Sequence, residues 1–439
     1  DDCLVASLLS DPRSGLPPGS KEYETEDFDP SLTLEAITPG RVGASVGGYY
    51  GSGVQGGIAA LFGDMLGNQK MIVSLQAQGS FRDIGGGLQY INRGDQLNYG
   101  GSLSHTPILY SVQPIPFDQL FRQGVLIERR LQISQANVGA SYPLSTTRRF
   151  EFGVGATRYG FGVNIREIGI GDDLSVGDVN EIIQDVYDNP NARIPPERDT
   201  RYLGSASLAY VRDFSQAGLT GPVTGGRWRI EVSPTFGSQN FVTVRGDLRR
   251  YFYAKPFTFA LQGLHVGNYG ADYTREFGIG NEYIGYPYGQ GFVRGYNVRE
   301  LAVDSRQGRN CTPVPSSVDP NVSDCAEIER LFGTRMLTAR AEVRVPLLGP
   351  ERLAVIPFQY LPTTLAVFGD AGVTWSNERF ADFVFRDGAS SELNIPVTSA
   401  GVAARFNVLG RILLEAYYAK PFQLPDTNWE FGLRISPGW

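Results

Sequence analysis

The chain has 439 residues, a formal net charge of −7, and hydrophobic and aromatic shares of 41% and 12%. That profile excludes a disordered chain and a coiled coil, and only three Cys exclude a disulfide-dense secreted module. No stretch approaches ~18 consecutive apolar residues, so no transmembrane helix is expected, and no basic block points to nucleic acid. Two His leave little for metal or acid–base chemistry. With neither an initiator Met nor an apolar signal segment, the chain reads as mature or cropped.

Residues 1–39 carry Pro17-Pro18-Gly19 and an acidic run from Glu22 to Asp29, with little periodicity. They read as an extended linker, with a single barrel domain expected over 40–439. From Gly40 the pattern is strand, turn, strand. Seven strands are predicted at 40–50, 52–64, 69–79, 83–93, 96–113, 125–142 and 147–168. After a long link, 169–198, come 199–213, 227–237, 240–254 and 256–271. A second long link, 272–333, precedes 334–347 and 362–375. The third, 376–395, leads to 396–407, 409–419 and 428–436. Period-two alternation is cleanest where Leu337, Ala339, Ala341, Val343 and Val345 alternate with Thr338, Arg340, Glu342 and Arg344.

Alternation alone does not separate a soluble sandwich from a membrane barrel. Three features favour the barrel with its apolar face outward. Many strands reach the ~9–11 residues that a tilted strand needs to cross hydrocarbon. Aromatics gather at strand ends, as in Tyr49-Tyr50, Tyr251-Phe252-Tyr253 and Tyr417-Tyr418. The three long links follow strands 7, 11 and 13, all odd, so they share one face. The expected fold is therefore all-β: a sixteen-stranded antiparallel transmembrane β-barrel in a bacterial outer membrane, in which the link 272–333 after strand 11 is the sixth extracellular loop.

That sixth loop contains Gly291-Phe292-Val293-Arg294-Gly295-Tyr296. It resembles the Val-Arg-Gly-Phe/Tyr motif of the Omp85 superfamily, the bacterial surface antigen D15 barrels that include assembly factors and two-partner secretion transporters. Glu342-Val343-Arg344-Val345-Pro346 is similar to the family's Glu-x-Arg-x-Pro. Phe368-Gly369-Asp370-Ala371-Gly372-Val373-Thr374-Trp375 is similar to its strand-13 pattern. The resemblance covers roughly 40–439 and implies protein insertion or translocation. It also implies a clamp in which Arg294, with Val293, Gly295 and Tyr296, folds into the lumen onto Glu342 and Asp370. Parity puts both acids inward on adjacent strands, where one guanidinium can serve two carboxylates. The chain departs from the family in ending Ser436-Pro437-Gly438-Trp439 and in carrying no POTRA modules. Gly56 to Gly67, Asp83-Ile84 and Leu88-Gln89-Tyr90 look like relatives whose barrel follows a β-propeller.

Gly43, Gly47 and Gly48 would give a weak first strand at a lateral seam against Trp429 and Phe431 of the last; a gate and simple tight curvature are both open readings. A Cys311–Cys325 bridge would close a loop of about 15 residues worth ~3 kcal/mol, with two free thiols as the alternative. Gly51 to Gly56 and Gly43 to Gly47 match dinucleotide and nucleophile-elbow patterns, but no helix is expected after either. His105 and His265 read as isolated polar side chains, and Asp172-Asp173 as a solvated loop rather than a Ca²⁺ site. No catalytic residue, metal or cofactor is expected. The expected partners are outer-membrane lipids, client outer-membrane or secreted proteins, and periplasmic or surface subunits. The rival functions are a non-transporting membrane anchor for such a partner or upstream domain, and a passive porin.

Overall fold

The computed structural model describes residues 7, 31–39, 43–45, 53–79, 83–116, 123–169, 199–270, 282–283, 292–296, 330–358, 360–377, 380–383, 395–408, 410, 412–423 and 429–436. Among them, sixteen antiparallel strands each pair with the next in the chain. β1 has two pieces, Thr33–Pro39 and Gly43–Ser45, both paired with β2, Gly53–Gly63. There follow β3 (Gln69–Gly79), β4 (Ile84–Asn92), β5 (Asn98–Pro116), β6 (Gln123–Ser145), β7 (Arg148–Gly169) and β8 (Arg201–Asp213). Next come β9 (Pro222–Gly237), β10 (Phe241–Ala254), β11 (Phe257–Tyr269) and β12 (Arg335–Gly349). The last are β13 (Thr363–Trp375), β14 (Val397–Val408), β15 (Ile412–Pro421) and β16 (Glu430–Ser436).

The strand count matches the expectation, but some ends do not. The linker expected over 1–39 contains the first strand, because Thr33–Pro39 lies against β2 from Gly63 to Ile58. Its threonines add side-chain bonds, from Thr33 to the Gly63 carbonyl at 3.2 Å and from Thr38 to that of Ala59 at 3.1 Å. A short run ending in Pro39-Gly40 looks like linker in sequence; pairing to a neighbour makes it a strand. β5, β6 and β7 run to 19, 23 and 22 residues: β6 outruns the range expected over 125–142, β5 exceeds its expected length by one residue, and β7 has the length expected over 147–168. Crossing hydrocarbon takes only ~9–11 residues, so these strands project beyond it as extended hairpins.

Alternation sorts the side chains by face. On β12 and β13, Leu337, Val343, Leu365 and Val367 point out and are exposed, while Glu342, Arg344, Phe368 and Asp370 point in and are buried. The same exposed apolar set continues around the wall through Leu103, Val138, Val154, Leu208, Ile230, Leu261, Val402 and Leu433. In water such a band would be a severe liability; facing lipid, it is the surface a spanning barrel requires. Tyr418 and Trp429 stack outside at 5.1 Å, as an interfacial aromatic pair would.

The 214–221 link between β8 and β9 does not stay beneath its own strands. It crosses the turn end of the barrel. The Thr220 hydroxyl donates to that of Thr364 on β13 at 2.6 Å, and Asn407 at the end of β14 donates to the Leu219 carbonyl at 2.8 Å. A single connection thus ties the middle of the barrel to its C-terminal strands.

Candidate functional site: a clamped luminal loop

Residues 292–296 lie inside the barrel, against the inner faces of β11 to β15. Two anchors hold them. The first is apolar: Val293 and Tyr296 pack with Leu264, Leu331, Met336 and Val397 in one buried cluster. The second is ionic. Arg294 is 2% exposed. Its Nε and Nη2 donate to Asp370 Oδ2 and Oδ1, both at 2.8 Å, in a two-pronged fork. Its backbone N–H also reaches Asp370 Oδ2, at 3.2 Å. Nη2 lies 2.9 Å from Glu342 Oε1, and Nη1 lies 3.5 Å from Glu415 Oε1. The guanidinium carbon stands 3.3 Å from the centroid of the Phe368 ring, adding a cation–π contact.

The structure therefore brings Arg294, Glu342 and Asp370 together, and adds residues that sequence reading left out. Glu415 on β15 is a third acid. Arg405 on β14 bridges Glu415 at 2.5 Å and Glu342 at 2.8 Å. Arg344 binds the other oxygen of Glu342 at 2.8 Å, Arg340 lies 3.2 Å from Asp370, and Arg434 pairs with Glu415. Five arginines thus share three carboxylates in a nearly dry interior. Ions removed from water cost several kcal/mol each, so such a group is stable only when every charge has close partners. A signal for the missed members existed. Arg405 and Glu415 fall on inward positions, but only the curvature of the wall carries β14 and β15 around to a loop that leaves β11.

Gly295 has φ +89°, a left-handed backbone where L side chains are strained. A Cβ built on it would sit 3.3 Å from Ala419 Cβ and 3.4 Å from Pro421 Cδ, so glycine also lets the loop lie flat on β15. Tyr296 closes the motif. Its hydroxyl donates to the Gln423 side-chain oxygen at 3.0 Å or to the Thr398 carbonyl at 3.1 Å, and accepts the Gln423 N–H at 3.2 Å. Gln423 Oε1 also accepts from the Thr398 N–H at 2.6 Å, and its carbonyl accepts from Arg330. One glutamine thus ties the loop, β14 and the stretch before β12 together.

The remaining sequence candidates scatter. Gly43 lies on the second piece of β1, while Gly47 and Gly48 lie outside the described residues. Trp429 and Phe431 face outward at the other edge. Among the described residues, β1 pairs with β2 and β16 with β15, and no backbone pairing joins β1 to β16. Cys311 and Cys325, and Asp172-Asp173, lie outside the described residues. His105 bonds Ser134 at 2.9 Å, whereas His265 bonds the Met336 carbonyl and the Tyr269 hydroxyl, both at 2.9 Å. No group of three or more potential metal ligands occurs among the described residues. What the clamp can do chemically is hold a loop in place.

The N-terminal half of the lumen is different. Gln89, Ser102, Asn137, Ser205 and Ser207 line a hollow of about 360 Å³, with glycines between them.

No family model matches the chain, and no curated protein matches it. Solved structures do. BamA from Haemophilus ducreyi lacking POTRA domains 1–3 superimposes with a TM-score of 0.53 at 15% identity, over 94% of this chain and 76% of that one. CdiB from Acinetobacter baumannii matches at 0.47 and 13% identity, over 88% of this chain and 56% of that one. CdiB from Escherichia coli matches at 0.48 and 12%, over 92% and 63%. The fold assignment rests on the first of these: the chain has the fold of the BamA barrel.

Proposed function

We propose that this chain is an Omp85-type outer-membrane barrel that acts in inserting other proteins into that membrane or translocating them. In this reading its clients are outer-membrane or secreted proteins, and periplasmic or surface subunits assist it. Its work is mechanical: it catalyses no covalent reaction and holds no cofactor. The observation that carries the reading is the grip of Arg294 on Asp370 and Glu342 by a loop folded into the lumen. A passive pore gains nothing from filling its lumen with a buried ionic cluster. The fold shared with BamA supports the same view. Clients would pass at the two edges of the sheet, β1 and β16, which no backbone pairing joins among the described residues.

Proteoliposomes test this. The reconstituted barrel should speed the folding of a urea-unfolded eight-stranded barrel compared with empty liposomes, and a covalent tie between β1 and β16 should abolish the gain. Equal rates with and without the protein would sink the proposal.

A second reading is that the barrel anchors a partner and transports nothing. The link that crosses the turn end, tied to Thr364 and Asn407, favours it by adding a second obstruction to the lumen. Absence of both client folding and ion conductance in a planar bilayer would select the anchor. Wide, ungated conductance would select the porin.

A further inference from the structure

Outward positions at the turn end carry charge where a lipid-facing wall is otherwise apolar. Arg212 on β8 and Arg250 on β10 both point out. Arg212 stands 4.8 Å from the centroid of Phe214 and 5.3 Å from that of Trp228. Arg250 stands 5.3 Å from Phe214 and 5.1 Å from Phe252. The two cations thus share one ring. Neither makes a hydrogen bond or ion pair among the described residues, and the buried Nε of Arg212 has no partner. Arg148, exposed on β7, is the cross-strand partner of Arg212 and adds a third positive charge.

Beside this pair the outer wall is recessed. Leu248, Gly263, Ala339 and Ala371 form one row across four strands, and Leu261, Ala341 and Gly369 form the next. Arg250 is in register with Leu261, so it heads that second row. Phe259, Val343 and Val367 make a bulky row on one side. Three strands of glycine and alanine between larger neighbours leave an outer-face hollow of about 920 Å³, walled by Trp228 and Leu261 and reached by Arg250.

We propose that this is a phospholipid site: Arg212 and Arg250 bind the headgroup phosphate, and an acyl chain lies in the recess. The chemistry is complementary at both ends. Arginine forks match phosphate oxygens, and the rings hold both forks at the level of the interfacial girdle. Cations at that level draw anionic lipids. The recess takes a chain that a flat wall of leucines would leave outside. The site rests on the barrel spanning a membrane and is independent of any client role.

The test is native mass spectrometry of the full chain, released from nanodiscs of phosphatidylcholine doped with phosphatidylglycerol. Wild type should retain phosphatidylglycerol, and Arg212→Gln with Arg250→Gln should lower retention about tenfold. Both arginines face lipid away from the luminal clamp, and the heat-dependent gel mobility of the folded form checks that the variant folds. Ala341→Phe, which fills the recess and leaves the arginines alone, should also lower retention. Equal retention by wild type and the double variant would overturn the proposal. Loss on removing the arginines but none on filling the recess would remove the acyl part. Displacement of the lipid by excess inorganic phosphate would reduce the site to one for a bare anion.

Discussion

Arg294 and Arg229 each bridge carboxylates inside the same barrel, yet they sit in different surroundings. Arg229, on β9, lies 2.7 Å from both Glu151 and Glu231, and all three side chains are about a quarter exposed. Arg294 reaches Asp370 at 2.8 Å, with its side chain 1% exposed and that of Asp370 fully buried. The local geometry is comparable; the cover differs. Loop, wall and apolar cluster close over Arg294, whereas Arg229 faces the more open half of the lumen. Water can screen the Arg229 site but is shielded from the Arg294 site, so similar ion pairs should have different consequences when broken.

The largest expected effect follows from that. Arg294→Ala leaves three buried carboxylates short of a cation and should cost about 3–5 kcal/mol, with neighbouring arginines holding it toward the lower figure. The readout is a lower temperature for loss of the compact form on gels. Gln423→Ala removes the acceptor shared by Tyr296 and Thr398 and should cost about 1–3 kcal/mol. It should also speed protease cleavage of the loop. Gly295→Ala forces a Cβ into a left-handed position beside Ala419 and should cost about 1–2 kcal/mol by thermal unfolding, without changing the charge balance. Arg229→Ala is the counterpart that sharpens the comparison. It should cost about 0–1 kcal/mol in denaturant unfolding, and that cost should shrink further at high salt. A loss as large as that for Arg294→Ala would erase the distinction between the two regions.

Much of this was legible in the sequence because a barrel wall obeys a strict two-residue period. Alternation placed Glu342 and Asp370 inward on neighbouring strands and located the long link that carries Arg294. Glu415 and Arg405 escaped because they lie more than a hundred residues past Arg294. No local pattern announces that the far side of a cylinder returns to it. Thr33–Pro39 escaped for a different reason: as the sheet's first strand it takes its identity from pairing with β2, while its own residues resemble the linker before them. The reach of Leu219 and Thr220 toward β13 and β14 was equally invisible, because a short polar link carries no sign of which wall it will touch.

The central claim is that the sixth loop is seated in the lumen by Arg294. Amide hydrogen exchange over 292–296, measured on the folded barrel in lipid, tests it most directly. The Arg294 N–H bonds a buried carboxylate, so it should exchange as slowly as the interior amides of β13, and Arg294→Ala should raise its rate toward that of an exposed loop. Fast exchange in the wild type, or no change in the variant, would contradict a clamped loop.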